Sequence, residues 1–270
     1  MNDTTASAEG SGKVVRVGAL ADLHCTRNSQ GLLEPLLARA AAVADVLLLG
    51  GDLTDNGLPE EAHVLTGELK ALKVPLIGVL GNHDFEAGKQ DEVRAVLLDA
   101  GVTLLDGEAC EVLGVGFAGV KGFAGGFGRG ALGPWGEQAI KAFVHEAVQE
   151  ALKLEAALAR LRTAHRIALL HYAPIRATVE GEPPEIFPFL GSSRLSEPLN
   201  RYAVRAVFHG HAHRGTPEGQ TGEGVPVYNV ALPLLQRAFP GRPPCRVVEL
   251  PLPPSSPEVV SLAPDDFPLE

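Results

Sequence analysis

The fold is decided by the stretch at residues 46–52, which reads VLLLGGD. Four apolar residues run directly into two glycines and an aspartate, a pattern typical of a short strand buried on both faces. The aspartate lies just beyond the strand, where no packing argument explains a carboxylate. The same arrangement, a predicted strand followed at once by Asp, Asn or His, recurs along the chain. The other four places are Asp22-Leu23-His24, Gly81-Asn82-His83-Asp84, His171 and Gly210-His211-Ala212-His213.

Strand and helix patterns alternate over the first hundred residues. Strands are predicted at residues 14–21, 46–49 and 75–80, and helices at 31–44, 60–72 and 91–100. This alternation predicts parallel strands in a helix-covered sheet, with right-handed crossovers that place successive loops along one edge. In such sheets the ligand crevice lies outside the carboxyl ends of the strands, so residues far apart in sequence converge there.

The second half of the chain is richer in strands. Short β segments at residues 102–105 and 111–120 lead to a glycine-rich loop at 122–136, a long helix at 137–165 and a strand at 166–170. A proline-rich connection at 172–198 precedes strands at 206–208, 225–230 and 245–250. The chain therefore predicts one α/β domain at residues 13–250, with a disordered N-terminal tail at 1–12 and a Pro-rich C-terminal extension at 251–270.

Composition and charge argue against several classes of protein. The 270 residues are 45% hydrophobic and 21% charged, which suits one globular domain with a sizeable core. A formal net charge of −10 argues against broad attraction to a nucleic acid polymer or an anionic membrane. The N-terminus lacks the features of a signal segment, and no apolar run approaches the ~20 residues of a membrane helix. Because three scattered cysteines give no disulfide framework either, we expect a soluble cytoplasmic protein without membrane insertion.

The side chains that follow the strands are of the types that hold divalent metals. Aspartate and histidine together suit ions of intermediate softness such as manganese, iron and zinc, whereas an all-oxygen set would favour calcium or magnesium. Asp52 is the natural bridge, because its two oxygens can serve two cations ~3.5–4 Å apart. The sequence therefore predicts a centre of two divalent transition metal ions.

Taken in order, the motifs D-x-H, G-D, G-N-H-D, H and G-H-x-H resemble those of the calcineurin-like metallophosphoesterase superfamily. The resemblance spans residues 14 to about 230 and implies a four-layer α/β/β/α sandwich of two mixed sheets flanked by helices. It also implies which residues hold each ion. One metal would be held by Asp22, His24, Asp52 and His213, and the other by Asp52, Asn82, His171 and His211.

Charge then suggests a mechanism. Two divalent cations bring four positive charges, and the two ligand aspartates neutralise two of them. The positive charge that remains would attract phosphate oxygens. A hydroxide bridging both metals would attack phosphorus in line. His83 is expected to supply the proton for the leaving group or to stabilise charge in the transition state, and Asp84 to orient the ring of His83.

The leading prediction is a metal-dependent phosphoester hydrolase acting on a small substrate, with phosphodiesterase activity placed first. A phosphomonoesterase is the alternative, because the same metals and hydroxide serve either ester. A nuclease is weaker, since the chain shows no basic stripe with interleaved aromatic residues. A non-catalytic scaffold of the same fold is weaker too, because every ligand position is filled. The sequence leaves the oligomeric state open.

Three further features carry open interpretations. His209 either packs at the end of its strand or supports the neighbouring ligand. The segment at residues 114–119 matches G-x-G-x-x-G, but no helix follows, so a strand with glycines is the better interpretation. Lys121 and Arg129 are either solvated loop charges or groups that reach the substrate phosphate.

Overall fold

Two β-sheets lie face to face in the computed structural model, which describes residues 14–252. The strands in this range are β1 (Val14–Leu20), β2 (Val46–Gly50), β3 (Leu76–Val79), β4 (Thr103–Leu104), β5 (Ala109–Val112), β6 (Val115–Val120), β7 (His165–Leu170), β8 (Ala206–His209), β9 (Glu218–Gln220), β10 (Pro226–Asn229) and β11 (Arg246–Pro251). The first sheet has the order β11-β1-β2-β3-β4, and the second has the order β5-β6-β7-β8-β10-β9.

Both sheets are mixed: the first has one antiparallel edge strand, and the second has an antiparallel strand at each edge. Strands β1 to β4 are parallel, as the alternating pattern predicted, and β11 is antiparallel to β1. In the second sheet β6, β7, β8 and β10 are parallel, while β5 and β9 pair antiparallel to their neighbours. The carboxyl ends of the central strands in each sheet therefore lie at a common edge.

Helices cover the outer face of each sheet. The α-helices of the described range are α1 (Glu34–Ala41), α2 (Pro59–Leu69), α3 (Gln90–Asp99), α4 (Gln138–Arg160), α5 (Phe187–Leu190), α6 (Ser196–Arg201) and α7 (Leu232–Ala238). Apolar residues of α1, α2 and α3 pack on the first sheet, and those of α4 and α6 pack on the second. The predicted four-layer α/β/β/α sandwich is confirmed.

Strand β2 shows how the sequence produces these layers. Val46 and Leu48 face the second sheet, whereas Leu47 and Leu49 face the helices, because successive side chains point to opposite faces. All four are fully buried, and burial of each leucine contributes about 1.5–3 kcal/mol. An uninterrupted apolar run is therefore what a strand between two apolar layers requires.

The end of the long helix differs from the sequence prediction. We expected it at residues 137–165, but α4 ends at Arg160, and His165 is the first residue of β7, paired with Val115. Residues 161–165 contain no glycine or proline that would mark the stop, so the boundary is set by pairing with β6. The structure adds β9 and α7, which were not predicted, and short helices within the proline-rich connection.

The G-x-G-x-x-G segment is part of a hairpin. Leu113 and Gly114 both have positive φ, 52° and 80°, and join β5 to β6 in a two-residue turn. Turns with two positive φ values match the twist of a hairpin and favour glycine. The other two glycines lie within β6, so residues 115–119 form a strand as expected, whereas the strand predicted at 111–120 is divided in two by this turn.

The chain ends carry predictions that the structure does not address. The expected tail at residues 1–12 lies outside the described range, as does the extension beyond Leu252. Within the described range, no helix combines the length and the apolar character needed to cross a membrane.

Candidate metal centre

Five loops meet at the carboxyl edge of the two sheets. Asp22 follows β1, Asp52 follows β2 and Asn82 follows β3, while His171 comes directly after β7 and His211 follows β8. All seven predicted ligands are thereby brought to one place, because the strands that carry them are parallel and packed face to face.

Strained backbone is concentrated at these residues. Six non-glycine residues of the described chain have positive φ, and four of them are candidate ligands. The four are Asp22 (60°), His24 (44°), Asp52 (47°) and His211 (69°). Each such conformation costs on the order of 1–3 kcal/mol and persists only where the surroundings enforce it, most often at functional sites. The strain therefore supports a functional role for this edge of the fold.

Glycines before the ligands allow the loops to approach closely. A Cβ at Gly81 would overlap Oδ1 and the backbone nitrogen of Asp52 and would lie 2.7 Å from Cε1 of His171. A Cβ at Gly210 would overlap Oδ2 of Asp22. The glycines in the G-N-H-D and G-H-x-H motifs are thus required by the space between the loops.

One cluster of ligand atoms consists of Asp22, His24 and His213. Their ligand atoms lie within 4.8 Å of one another. Nε2 of His213 is 3.1 Å from Oδ1 of Asp22 and 3.4 Å from Nε2 of His24. Burial opposes ionisation of Asp22, but the hydrogen bond from His213 and nearby imidazoles hold its pKa below the ordinary value. The same hydrogen bond raises the pKa of His213.

A second cluster consists of Asp52, His171 and His211, with Asn82 beside them. Nε2 of His171 is 3.4 Å from Oδ1 of Asp52 and 2.8 Å from Oδ1 of Asn82. Nδ1 of His171 lies 3.0 Å from the carbonyl oxygen of Gly50. This contact assigns the ring proton to Nδ1 and leaves Nε2 with the lone pair that a metal ligand needs. Burial, helped by His171, lowers the pKa of His211 to about 3, so this imidazole stays neutral as a metal ligand must.

Asp52 lies between the two clusters. Its Oδ1 is the oxygen nearest His171, while Oδ2 lies 3.9 Å from Nε2 of His24. Oδ1 also accepts a hydrogen bond of 2.8 Å from the backbone N–H of His83. One carboxylate thus directs an oxygen toward each cluster, as a bridging ligand does.

Asp55 joins the site although the sequence analysis missed it. Its Oδ1 is 3.2 Å from Nδ1 of His24, and its carbonyl oxygen accepts a 2.6 Å hydrogen bond from Nδ1 of His83. The rings of His24 and His83 meet edge to face with centroids 4.5 Å apart. The only signal was an aspartate three residues after Asp52, which is too common in loops to be interpreted alone.

The expected role of Asp84 is corrected. The carboxylate of Asp84 is fully buried and accepts hydrogen bonds from the backbone N–H groups of Leu53, Thr54 and Gly81 and from the Thr54 hydroxyl, at 2.6–3.2 Å. The ring of His83 is oriented by Asp55 instead. Asp84 ties the loop after β2 to the loop after β3, because its oxygens are the acceptors that both loops share.

A buried polar network supports the loop that carries His211 and His213. Nε2 of His209 lies 2.8 Å from the Thr178 hydroxyl, and Nδ1 lies 2.8 Å from the carbonyl oxygen of Gly210. Asn229, at the end of β10, donates to the carbonyl oxygens of Ala212 at 2.8 Å and Thr178 at 3.2 Å. His209 therefore lies in the supporting shell of the cluster, and Asn229 is a supporting residue that no motif indicated.

The two loop cations have different surroundings. Arg129 is exposed in a short turn, Gly128–Gly130. Lys121 follows β6, and its ammonium lies 4.9 Å from the ring centroid of Phe123, 5.4 Å from that of Tyr172 and 5.5 Å from that of Phe85. Lys121 is therefore a partly buried cation among aromatic rings.

The donor set fits transition metal ions. Four imidazoles, two carboxylates and one amide oxygen converge, and this mixture of nitrogen and oxygen suits manganese, iron or zinc. A four-layer sandwich with such a set at the carboxyl edge of its strands is typical of metal-dependent phosphoesterases. The chain belongs to the calcineurin-like phosphoesterase family, whose model matches residues 15–215.

Solved structures share the fold at low sequence identity. The phosphopantetheinyl hydrolase of Mycobacterium tuberculosis is 17% identical, with a TM-score of 0.62 over 89% of this chain and 98% of that one. The protein TT1561 of Thermus thermophilus is 15% identical, with a TM-score of 0.51 over 88% of this chain and 99% of that one. No curated protein matches the sequence. These similarities establish the architecture, while the choice of substrate depends on this chain's own loops.

Proposed function

We propose that this protein is a phosphodiesterase that acts on a small substrate, with one divalent ion held by Asp22, His24, Asp52 and His213 and a second held by Asp52, Asn82, His171 and His211. The observation that carries the proposal is the position of Asp52, whose two oxygens face the two clusters separately. When bound, the cations would activate water and neutralise phosphate oxygens. The chain supplies the geometry that holds the reacting groups in place.

His83 is the proposed proton donor for the leaving group. Its Nδ1 donates to the Asp55 carbonyl, so a second proton, on Nε2, is the one available for transfer. Burial would lower the pKa of His83, but the Asp55 carbonyl and the carboxylates of Asp52 and Asp55 raise it above the ordinary value. The side chain remains 40% exposed, which leaves it accessible to a substrate.

Aromatic side chains around the clusters favour a diester. Phe85 and Phe189 remain 38% and 58% exposed beside the ligand loops, and the carbonyl oxygen of Phe189 lies 3.2 Å from Nε2 of His211. Such surfaces suit the second ester group of a diester, which a monoester lacks.

A phosphomonoesterase is the second candidate, and Arg237 is the observation that favours it. The Nη2 of Arg237 donates to the carbonyl oxygen of His213 at 3.0 Å, which holds a guanidinium beside the first cluster. A guanidinium at this position would suit the additional charge of a terminal phosphate.

Hydrolysis of bis-p-nitrophenyl phosphate and of p-nitrophenyl phosphate by metal-stripped protein reloaded with manganese tests the proposal. We expect faster cleavage of the diester and two manganese ions per chain by elemental analysis. Asp52→Ala should abolish activity and reduce the bound metal. His83→Ala should lower kcat by about 10²–10⁴ for a dialkyl phosphate, which needs a protonated leaving group, and by less for p-nitrophenyl esters.

Two exposed residues provide matched controls. Asp99→Ala at the end of α3 and His145→Ala on α4 remove side chains of the same two types at positions away from the site. Both variants should leave hydrolysis of the diester and of the monoester unchanged. Faster cleavage of the monoester would replace the diesterase with the phosphatase. Absence of hydrolysis with two metals bound would reject both activities.

A further inference from the structure

A small pocket lies next to the metal centre and is built partly from the same loops. Its volume is ≈150 Å³, and its lining includes Leu80 and Phe85, which flank the Gly81–Asp84 motif, and Lys121. The backbone carbonyl of Lys121 accepts the N–H groups of His171 and Tyr172, both at 3.0 Å. Residues of the pocket lining are therefore directly next to one ligand loop in the sequence and hydrogen-bonded to another.

The ammonium of Lys121 is short of hydrogen-bond partners in this pocket. Within residues 14–252 its one hydrogen bond goes to the carbonyl oxygen of Gly122, at 2.9 Å, and no carboxylate oxygen lies within 4.0 Å. Three rings surround it, and burial lowers the pKa of this amine despite the field of Glu150. A partly buried cation whose partners are one carbonyl oxygen and three rings, without a carboxylate, still attracts an anion.

Two of the nearby acids, Glu150 and Asp106, are already engaged. The buried carboxylate of Glu150 accepts hydrogen bonds from the Gly122 N–H and from Lys153, both at 2.7 Å. Asp106 lines the pocket but pairs with Lys153 at 3.0 Å. Asp91 and Arg94 also line it and contribute opposite charges. An anion that enters the pocket would therefore contact the ammonium of Lys121, which lies among the aromatic rings.

We propose that this pocket binds the leaving group of the substrate and that Lys121 selects leaving groups carrying a second anionic group, a carboxylate or a phosphate. Lys121 is then a residue that determines specificity, and it takes no part in the chemical step. Phe85 would pack against the body of the leaving group. This inference rests on the proposed phosphodiesterase function, and it narrows the substrate class to diesters with an anion beyond the scissile bond.

A pair of substrates that differ only in this anion tests the inference. Methyl 4-nitrophenyl phosphate releases 4-nitrophenol, and methyl 3-carboxy-4-nitrophenyl phosphate releases the same ring with a carboxylate. We expect wild-type kcat/KM to be about tenfold higher for the carboxylated ester, a preference typical of one charge-assisted contact. Lys121→Met should reduce the ratio to about one by lowering kcat/KM for the carboxylated ester far more than for the neutral ester, and Lys121→Arg should retain most of the preference.

Two further variants sharpen the result. Asp91→Asn removes a negative charge from the pocket lining and should increase the preference for the carboxylated ester. Lys70→Met removes an exposed lysine at the end of α2 and should change nothing. A preference that survives Lys121→Met, or an equal loss on both esters, would overturn the role of Lys121.

Binding measured by calorimetry separates this inference from the proposed activity. The free leaving group 5-hydroxy-2-nitrobenzoate should bind wild type about tenfold more tightly than it binds Lys121→Met, whereas 4-nitrophenol should not distinguish them. Cleavage of the neutral ester with no carboxylate effect would reject the pocket alone. Absence of cleavage with the binding difference intact would reject the hydrolase and keep the anion site.

Discussion

The ligand loops after β2 and β3 are held to each other by the buried carboxylate of Asp84, whereas the loop after β8 is held by a side chain from another strand. After β2 and β3, Asp52 and Asn82 follow within three residues, and Gly81 and Asp84 tie the loops together. After β8, the His211 loop instead depends on Asn229 from a later strand. The first arrangement joins the loops that follow two neighbouring parallel strands, while the second needs a side chain from a strand that lies later in the chain.

This difference has a consequence for function. The first sheet leaves little room for variation, because a single added methyl group would overlap Asp52. The second sheet carries the long segment between β7 and β8, which places Tyr172 and Phe189 near the cluster. We expect the loops of the first sheet to determine the chemical step and the loops of the second sheet to determine which substrate binds.

The largest effect should come from Gly81→Ala. The added Cβ would overlap the backbone of Asp52, which cannot move as a flexible side chain can. We expect the free energy of unfolding to fall by about 3 kcal/mol or more and kcat/KM for the diester to fall by at least about 100-fold. Urea unfolding and manganese-dependent hydrolysis would measure both.

Gly67→Ala is the matched control for that substitution. Gly67 lies within α2, where an added Cβ meets no atom within 4 Å. Alanine should stabilise the helix by about 0.5–1 kcal/mol and leave hydrolysis unchanged. Wild-type behaviour of Gly81→Ala would mean that the loops do not approach as closely as inferred.

Asp84→Ala should have the next largest effect. It leaves the N–H groups of Leu53, Thr54 and Gly81 buried without their acceptor, which should cost about 3 kcal/mol in the free energy of unfolding. Urea unfolding of metal-free protein measures this cost, with the exposed Asp99→Ala as reference. A cost below about 1 kcal/mol would show that water replaces the carboxylate readily.

Asn229→Ala tests the second sheet and should have the smallest effect on stability. Loss of the hydrogen bonds to Ala212 and Thr178 should cost about 2 kcal/mol. Because the His211 loop would then be oriented less firmly, affinity for manganese should fall by about 10–100-fold, as for other residues that support metal ligands. A fall in the free energy of unfolding with unchanged manganese affinity would limit Asn229 to a structural role.

Most of the architecture could be predicted from the sequence, because strand and helix periodicities are local. The parallel first half followed from alternating patterns, and the motifs supplied all seven residues that the structure brings together. The end of α4 could not be predicted, because the strand pairing of His165 with Val115 determines it without any local stop signal.

The sequence by itself determined the candidate ligands, because each lies in a short motif directly after a recognisable strand. Only the tertiary structure assigned the residues around them. In the folded protein Asp55, rather than Asp84, orients the ring of His83, and three aromatic rings surround the ammonium of Lys121. The physical reason is that these roles depend on hydrogen bonds and contacts between segments distant in the chain or on rotamers within a loop, and neither leaves a periodic pattern in the sequence.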